Sequence, residues 1–265
     1  MNISERTIET ARGPMGWLEA GTGWPVILMH GCPLTAAMWR PQLERVPAGW
    51  RFVAPDLRGF GRTPLGDVPA TMDTYARDVL ALMDTLEIDT ATIGGLSMGG
   101  YVAFAMHRLA PARFTGLVLA DTRAQADTPE GREGRAALRR AVAAGGPPAV
   151  ASQMLPKLLA PRADDSIVAA VRLMIESTSA AGIDAAIAAM MDRPDSTPDL
   201  PRVSCPAVLL VGEHDAITPV ADSEAMRGAL RRSTLTVIPG AGHLANIESP
   251  GTFSRGLADF LLASI

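Results

Sequence analysis

Short runs of consecutive apolar residues recur along the first half of the chain and again near its end. They predict parallel strands covered on both faces, at residues 26–29, 52–54, 91–94, 117–120 and 207–211. Between them, apolar residues recur at spacings of three and four, which predicts helices over 38–46, 72–86 and 101–109. Strand and helix alternate, so the pattern indicates an α/β fold.

Both ends of the chain extend this pattern. Segments 3–10 and 15–20 flank the Gly13-Pro14 turn and predict an antiparallel hairpin that leads into the sheet. Near the other end, the order resumes with a helix over 220–230, a strand over 235–238 and a closing helix over 252–262.

The strand pattern is absent between about Thr128 and Asp199. That part of the chain has only helix-like pieces, and we expect them to be broken at residues 145–148, Pro156, Pro161 and 193–194. We therefore expect a helical cap at 123–199, inserted into one core domain that is formed by 1–122 and 200–265.

Composition narrows the classes of function. With 265 residues, 48% of them hydrophobic and 20% charged, the chain can form one large core. The formal net charge of −4 gives no electrostatic reason to expect a nucleic-acid or anionic-membrane partner. The polar first residues lack a signal-peptide pattern and no apolar run is long enough to span a bilayer, so we expect a cytoplasmic protein that acts on a small molecule.

The two cysteines, Cys32 and Cys205, lie far apart and have no C-x-x-C spacing. This arrangement favours neither a disulfide framework nor a zinc site, so no metal is expected.

A G-x-S-x-G pattern occupies residues 95–99, between a predicted strand and a predicted helix. On such a turn, the Ser97 hydroxyl is raised above the sheet, and the backbone N–H of Met98 points toward charge that develops on a substrate oxygen. A pattern with three fixed positions also occurs by chance, but here it has the strand-turn-helix setting that a serine nucleophile requires. Ser97 is therefore the predicted nucleophile, and the Met98 N–H is a predicted oxyanion donor.

A serine hydroxyl needs an adjacent base, usually a histidine that a carboxylate orients. Of the four histidines, His243 lies in a glycine-rich loop after the last predicted strand and is the predicted base. We expect His30 to shape its loop by hydrogen bonding, His107 to lie packed or solvated in a helix, and His214 to be structural.

The predicted acid is Asp215, which follows the strand over 207–211 and precedes His243 in the chain, the order typical of a nucleophile elbow. Two rivals remain: Asp121, after the strand over 117–120, and Glu213. If Asp121 is not the acid, we expect it to anchor the cap hinge through Arg123 or through backbone donors.

The second oxyanion donor should lie in the loop after the strand over 26–29. The N–H of Cys32 is the candidate, because Pro33 has none. We expect the Cys32 thiol to form a small apolar wall of the pocket. The glycine-rich segment 56–62 lacks the full phosphate-binding pattern, so it is interpreted as a structural turn in which Asp56 pairs with Arg58 or Arg62.

The cap is rich in methionine and leucine, which fill irregular space in a core or in a pocket. Its sequence offers no converging basic pair, which favours a largely apolar substrate. The candidate pocket residues are Met154, Leu155, Leu158, Met174 and Met190 in the cap and Leu244 beside the predicted base.

Five segments in this order resemble the α/β-hydrolase superfamily, in its carboxylesterase and enol-lactonase branch. They are His-Gly-Cys-Pro at 30–33, Asp-Leu-Arg-Gly-Phe-Gly at 56–61, Gly-Leu-Ser-Met-Gly-Gly at 95–100, Gly-Glu-His-Asp at 212–215 and Gly-Ala-Gly-His at 240–243. The resemblance implies an eight-stranded, mostly parallel sheet with a cap after the sixth strand, no cofactor, and hydrolysis of an ester or lactone. Cys32 stands where many relatives carry a bulkier residue, so the acyl side of the pocket is expected to be larger.

Two kinds of alternative remain open. The predicted Ser97, Asp215 and His243 could also serve a lactonase, a C–C hydrolase or a perhydrolase, because one fold hosts many reactions. A non-catalytic receptor for a small ligand is the alternative from another class, and the three catalytic residue types argue against it.

Overall fold

In the computed structural model, which describes residues 2–263, eight strands form one sheet. The strands are β1 Ser4–Thr10, β2 Gly13–Gly21, β3 Trp24–Met29, β4 Trp50–Pro55, β5 Ala91–Leu96, β6 Phe114–Ala120, β7 Ala207–Gly212 and β8 Ser233–Ile238. Their order across the sheet is β1-β2-β4-β3-β5-β6-β7-β8. Only β2 runs antiparallel to its neighbours, β1 and β4, and the other neighbouring pairs are parallel. The expected mostly parallel, eight-stranded sheet is confirmed.

Helices connect the strands. They are α1 Arg40–Leu43, α2 Met72–Thr85, α3 Met98–Leu109, α4 Pro129–Leu158, α5 Asp165–Glu176, α6 Ala180–Met191, α7 Val220–Ala229, α8 Ala245–Glu248 and α9 Pro250–Ala263. Three short 3₁₀ segments, Ala36–Trp39, Pro111–Arg113 and Thr197–Arg202, complete the connections.

The strands at the centre of the sheet are more buried than its edge strand β8. All six residues of β5 and all six of β7 are buried, as the unbroken apolar runs predict. The edge strand β8 is buried at only one of its six positions. Helix α3 is buried from Met98 to His107, because it packs directly against the central strands.

Two local predictions are wrong in detail. The turn of the first hairpin lies at residues 11–12, and Gly13, at φ +108°, already begins β2. The helix predicted over 38–46 is a 3₁₀ turn followed by a single α-helical turn. Met38, Trp39 and Leu43 are buried there, so their spacing reflects burial, which a short turn provides as well as a helix does.

Helices α4, α5 and α6 lie between β6 and β7 in the chain, and α5 and α6 each pack on α4. The expected break at 145–148 is present as a kink, where Gly146 adopts φ 64° and ψ −160°. The break expected at Pro156 is absent, because this proline lies near the end of α4 and the helix ends at Leu158. The boundaries of the cap, 123–199, stay a prediction.

Within residues 2–263, no single helix has the length and apolar composition to cross a bilayer. Helices α5 and α6, bent by 93°, meet that test only as a pair.

Candidate active site

The backbone turn that carries Ser97 joins β5 to α3. Ser97 has φ 54° and ψ −113°, a left-handed conformation that costs a residue with a side chain about 1–3 kcal/mol. Its N–H donates to the carbonyl oxygen of Ala120 at 3.0 Å, and its carbonyl accepts from Gly100 at 2.9 Å. The surrounding strand ends thus hold the serine in this strained position.

The two glycines that flank Ser97 are required by close backbone packing. A Cβ at Gly95 would lie 2.5 Å from the carbonyl oxygen of Met29, and one at Gly99 would lie 2.2 Å from the same atom. Any other residue at either position would therefore displace β3. The G-x-S-x-G spacing follows from this approach of strand and helix.

The loop after β3 lies against the serine. A Cβ built on Gly31 would be 3.4 Å from the Cβ of Ser97. Among residues 2–263, no group accepts a hydrogen bond from the N–H of Cys32 or Met98. Burial raises the pKa of the Cys32 thiol to about 12, so this side chain is a neutral thiol.

His243 and Asp215 form a buried pair. The Nδ1 atom of His243 lies 2.9 Å from Oδ1 and 2.8 Å from Oδ2 of Asp215. Asp215 also accepts from the N–H of Ile217 at 2.8 Å, and from the N–H at 2.9 Å and the hydroxyl at 2.7 Å of Thr218. With Nδ1–H directed at the carboxylate, Nε2 of the imidazole is left as the acceptor.

The pKa of Asp215 is lowered by this environment. Burial acts to raise it, but the charge and hydrogen bond of His243 and the hydrogen bonds from Thr218 outweigh burial. The ionised form of the Asp215 carboxylate is therefore favoured over its protonated form more strongly than in a free aspartate.

Neither rival carboxylate contacts the imidazole. Asp121 is fully buried after β6, with φ 41°, and its Oδ1 accepts from the N–H of Gly212 at 2.8 Å. Glu213 is half exposed and accepts from Gly240 at 2.8 Å. Asp121 is thus held by a backbone N–H and not by Arg123, which forms an ion pair with Asp222.

Hydrogen bonds connect the strand ends from Ser97 toward His243. The hydroxyl of Thr122 donates to the Ser97 carbonyl at 2.8 Å, the N–H of Asp121 donates to Leu210 at 2.8 Å, and the N–H of Asp215 donates to Gly212 at 3.2 Å. The Ser97 hydroxyl itself has no hydrogen bond within the described residues, so direct contact between the serine and His243 stays a prediction.

His30 and His107 lie in the environments expected for them, and the role of His214 stays a prediction. His30 accepts from the N–H of Leu57 at Nε2, and its Nδ1 donates to Gly31, each at 3.0 Å, which joins the loops after β3 and β4. His107 is buried and packs edge-on against Phe114. His214 is half exposed and donates its backbone N–H to Ala241.

The turn over 56–62 is held by ion pairs. Arg62 pairs with Asp56 at 2.9 Å, one of the two expected arrangements. Arg58 instead makes two bonds to Asp78, at 2.7 and 2.9 Å, and Asp78 also pairs with Arg12. The sequence did not indicate this buried link to α2.

Glu248 is a site residue that the sequence analysis missed. Its carboxylate accepts from the N–H of Gly242 at 2.9 Å and from that of Ala160 at 2.7 Å. Leu244 adds a bond from its N–H to the carbonyl of Leu158 at 3.1 Å. The loop of His243 is therefore attached to the end of α4, and no motif signals this contact.

A cavity of about 250 Å³ lies between α4 and the core, and its lining does not include Ser97, Asp215 or His243. Tyr101, one turn after Ser97, and Ile217, which donates to Asp215, line it together with Met154. The other candidate pocket residues stay predictions: Leu155, Leu158, Met190 and Leu244 are buried, and Met174 is half-buried.

Charged side chains also line this cavity. Arg123, Arg135 and Lys157 line it, with Asp127 as the one acid in the lining. The absence of a converging basic pair that demands a dicarboxylate stays a prediction, because two of these cations are already paired, Arg123 with Asp222 and Arg135 with Asp127. These residues are separated in the chain and converge only when α4 packs over the core.

Comparison with known proteins identifies the fold family. A family model described as the alpha/beta hydrolase fold matches residues 25–250. The chain belongs to the α/β-hydrolase family. Within residues 2–263, no three His, Cys, Asp or Glu side chains of this α/β hydrolase are placed to hold a metal ion.

Among solved structures, this α/β hydrolase is similar to a thermophilic esterase from Thermogutta terrifontis. The two are 39% identical, with a TM-score of 0.92, over 98% of this chain and 99% of that one. It is also similar to the enol-lactonase from Burkholderia xenovorans, with 26% identity and a TM-score of 0.88 over 97% of this chain and 100% of that one. A 3-oxoadipate enol-lactonase of Acinetobacter baylyi is 30% identical over 88% of this chain and 86% of the relative.

Proposed function

We propose that this α/β hydrolase is a serine esterase that cleaves small to medium, largely apolar carboxylic esters through an acyl-enzyme. The observation that carries the proposal is the buried Asp215–His243 pair at the carboxyl edge of the sheet where the Ser97 turn also lies. Similarity to the T. terrifontis esterase supports the same reaction class.

In the first half-reaction, Ser97 Oγ attacks the ester carbonyl carbon as Nε2 of His243 takes the hydroxyl proton. The N–H groups of Cys32 and Met98 donate to the resulting oxyanion, and each such donor lowers the barrier by about 3 kcal/mol. Asp215 holds the imidazole in the required tautomer. His243 then gives the proton to the leaving oxygen, the C–O bond breaks, and the alcohol departs.

In the second half-reaction, a water molecule replaces the alcohol. His243 takes a proton from the water as the water oxygen attacks the acyl carbon. Collapse of this adduct breaks the bond to Ser97 Oγ, which regains its proton, and the carboxylic acid is released. No cofactor enters any of these steps.

A substrate profile tests the proposal. We expect turnover of p-nitrophenyl esters, because the activated serine and two free amide donors suit a carboxylic ester, and kcat/KM should be highest at short or medium acyl length. The measurement is kcat/KM across acyl lengths and across a panel of lactones. Activity on neither group would contradict the proposal, and a preference for lactones would favour the second candidate.

The second candidate is hydrolysis of a lactone or ester that carries a carboxylate. The observation that favours it is Lys157 in the lining of the cavity between α4 and the core, where Arg123 and Arg135 are already paired with Asp222 and Asp127. The similar T. terrifontis esterase was solved with malate bound, which supports an anion in a related protein. Of the three cations, Lys157 is exposed and has no ion pair within the described residues, so its charge is free to attract an anion.

Replacing Lys157 by glutamine tests this candidate. For a substrate with a free carboxylate, KM should rise about threefold to fivefold, because an exposed ion pair contributes up to about 1 kcal/mol. The KM of the matching neutral ester should stay unchanged, and high salt should remove the difference. Arg140→Gln, on the same helix but outside this cavity, is the control. Equal effects on both substrates would contradict a role in anion binding.

A further inference from the structure

Asp121 is a buried carboxyl group that the ester-hydrolysis mechanism does not use. It is fully buried at the end of β6, and its backbone adopts the left-handed φ of 41°. Its Oδ1 accepts from the N–H of Gly212 at 2.8 Å. Its Oδ2 is equally inaccessible to solvent and has no donor among residues 2–263. A buried carboxylate oxygen that accepts no hydrogen bond destabilises the folded protein. The ionised form of Asp121 therefore carries a free-energy cost that the neutral, protonated form avoids.

The groups that face Asp121 are acids. Gly212 joins Asp121 and Asp215, since its N–H donates to Asp121 Oδ1 and its carbonyl accepts from the N–H of Asp215. After burial, the charges of Asp215 and of Glu248 both act to raise the pKa of Asp121. Arg123, the nearest cation in the chain, bonds instead to Ile217 and Asp222. Within the described residues, Asp121 therefore has no ion pair with a cation of the kind that normally keeps a buried carboxylate ionised.

Asp215 cannot supply the missing donor. Its two oxygens already accept from His243, from Thr218 and from the N–H of Ile217. These bonds stabilise it as the ionised partner. Between the two acids, the proton therefore belongs on Asp121, where it converts an oxygen without a partner into a donor.

We propose that Asp121 is a neutral carboxylic acid whose Oδ2–H donates a hydrogen bond to the Asp215 carboxylate, and that it positions Asp215 for its bond to His243. Burial is the first cause of a pKa of Asp121 well above its ordinary value, and the charge of Asp215 is the second. Asp121 is thus a positioning residue. Its positioning role rests on the proposed function, whereas its protonation does not.

The pH dependence of stability follows from this protonation. Above pH 3.8, the ordinary pKa of aspartate, the unfolded chain releases the proton and the folded chain keeps it. Stability from Asp121 is therefore complete below that pH and is lost as pH rises toward the folded pKa. An asparagine at this position has the same shape, donates and accepts as the neutral acid does, tolerates the left-handed backbone, and does not titrate.

The test compares thermal unfolding of the wild type and Asp121→Asn from pH 4 to pH 8. We expect the difference in Tm, variant minus wild type, to increase by about 3 °C or more from pH 4 to pH 8. Asp78→Asn is the matched control, since Asp78 is also buried but is paired with Arg12 and Arg58, and it should lower Tm at pH 8. A constant difference between Asp121→Asn and the wild type, or a falling one, would overturn the proposal.

Kinetics provide the second arm. Asp121→Asn should keep kcat within about threefold of the wild type, because the amide can donate to Asp215 as the acid does. Asp121→Gly tolerates the backbone but removes the donor, and kcat should fall about tenfold. A large loss of kcat in Asp121→Asn would show that an ionised Asp121 is required and would overturn the proposal. Absence of esterase activity in the wild type would defeat the proposed function, but the thermal comparison would still decide the protonation.

Discussion

Ser97→Ala should lower kcat on p-nitrophenyl esters by roughly 10⁴-fold or more, because Ser97 Oγ is the proposed attacking oxygen. The Tm should change by no more than about 2 °C, since the Ser97 hydroxyl has no hydrogen bond within the described residues. The measurement is steady-state kinetics beside thermal unfolding of the same samples.

Covalent labelling provides the control for this variant. A fluorophosphonate should modify the wild type at one group per chain and should leave Ser97→Ala unlabelled. Full labelling or turnover of the variant would place the nucleophile elsewhere. Labelling without turnover would mean a serine that is activated but that does not complete ester hydrolysis.

The second large effect is expected for Asp215→Asn, with kcat reduced roughly 10³-fold to 10⁴-fold. The asparagine amide can donate to Nδ1 of His243, which moves the ring proton to Nε2 and removes the base that Ser97 needs. The measurement is kcat for the variant and the wild type, with circular dichroism to check that both are folded.

Glu213→Gln is the matched control, because Glu213 lies two residues before Asp215 but is half exposed and does not contact the imidazole. Its kcat should stay within about threefold of the wild type. If Asp215→Asn kept near-normal activity and Asp121→Asn lost most of it, Asp121 and not Asp215 would be the acid that orients His243.

Much of the fold was predictable because the signals are local. Unbroken apolar runs mark strands buried on both faces, and they correctly indicated the centre of the sheet, including β5 and β7. The Ser97 turn could be predicted since its glycines are demanded by packing against β3. The sequence also favoured Asp215 among three acids, because it follows a strand and precedes His243.

Element lengths were less predictable. The segment over 38–46 shows that apolar spacing reports which residues are buried, and a 3₁₀ turn buries them as well as a longer helix does. The break expected at Pro156 was wrong for another reason: this proline lies close to the end of α4, and the helix continues past it to Leu158.

The sequence alone thus determined the α/β class and the turn of the candidate serine, because spacing within a few residues expresses these features, and its order of residues proposed the candidate base and acid. Only the tertiary structure decided which groups far apart in the chain share one environment. It brought Glu248 to the loop of His243, and Arg123, Arg135 and Lys157 to one cavity. It also placed Asp121 where burial and the charge of Asp215 both raise its pKa. Charge, protonation and hydrogen bonding depend on distances across the folded chain, which no local pattern records.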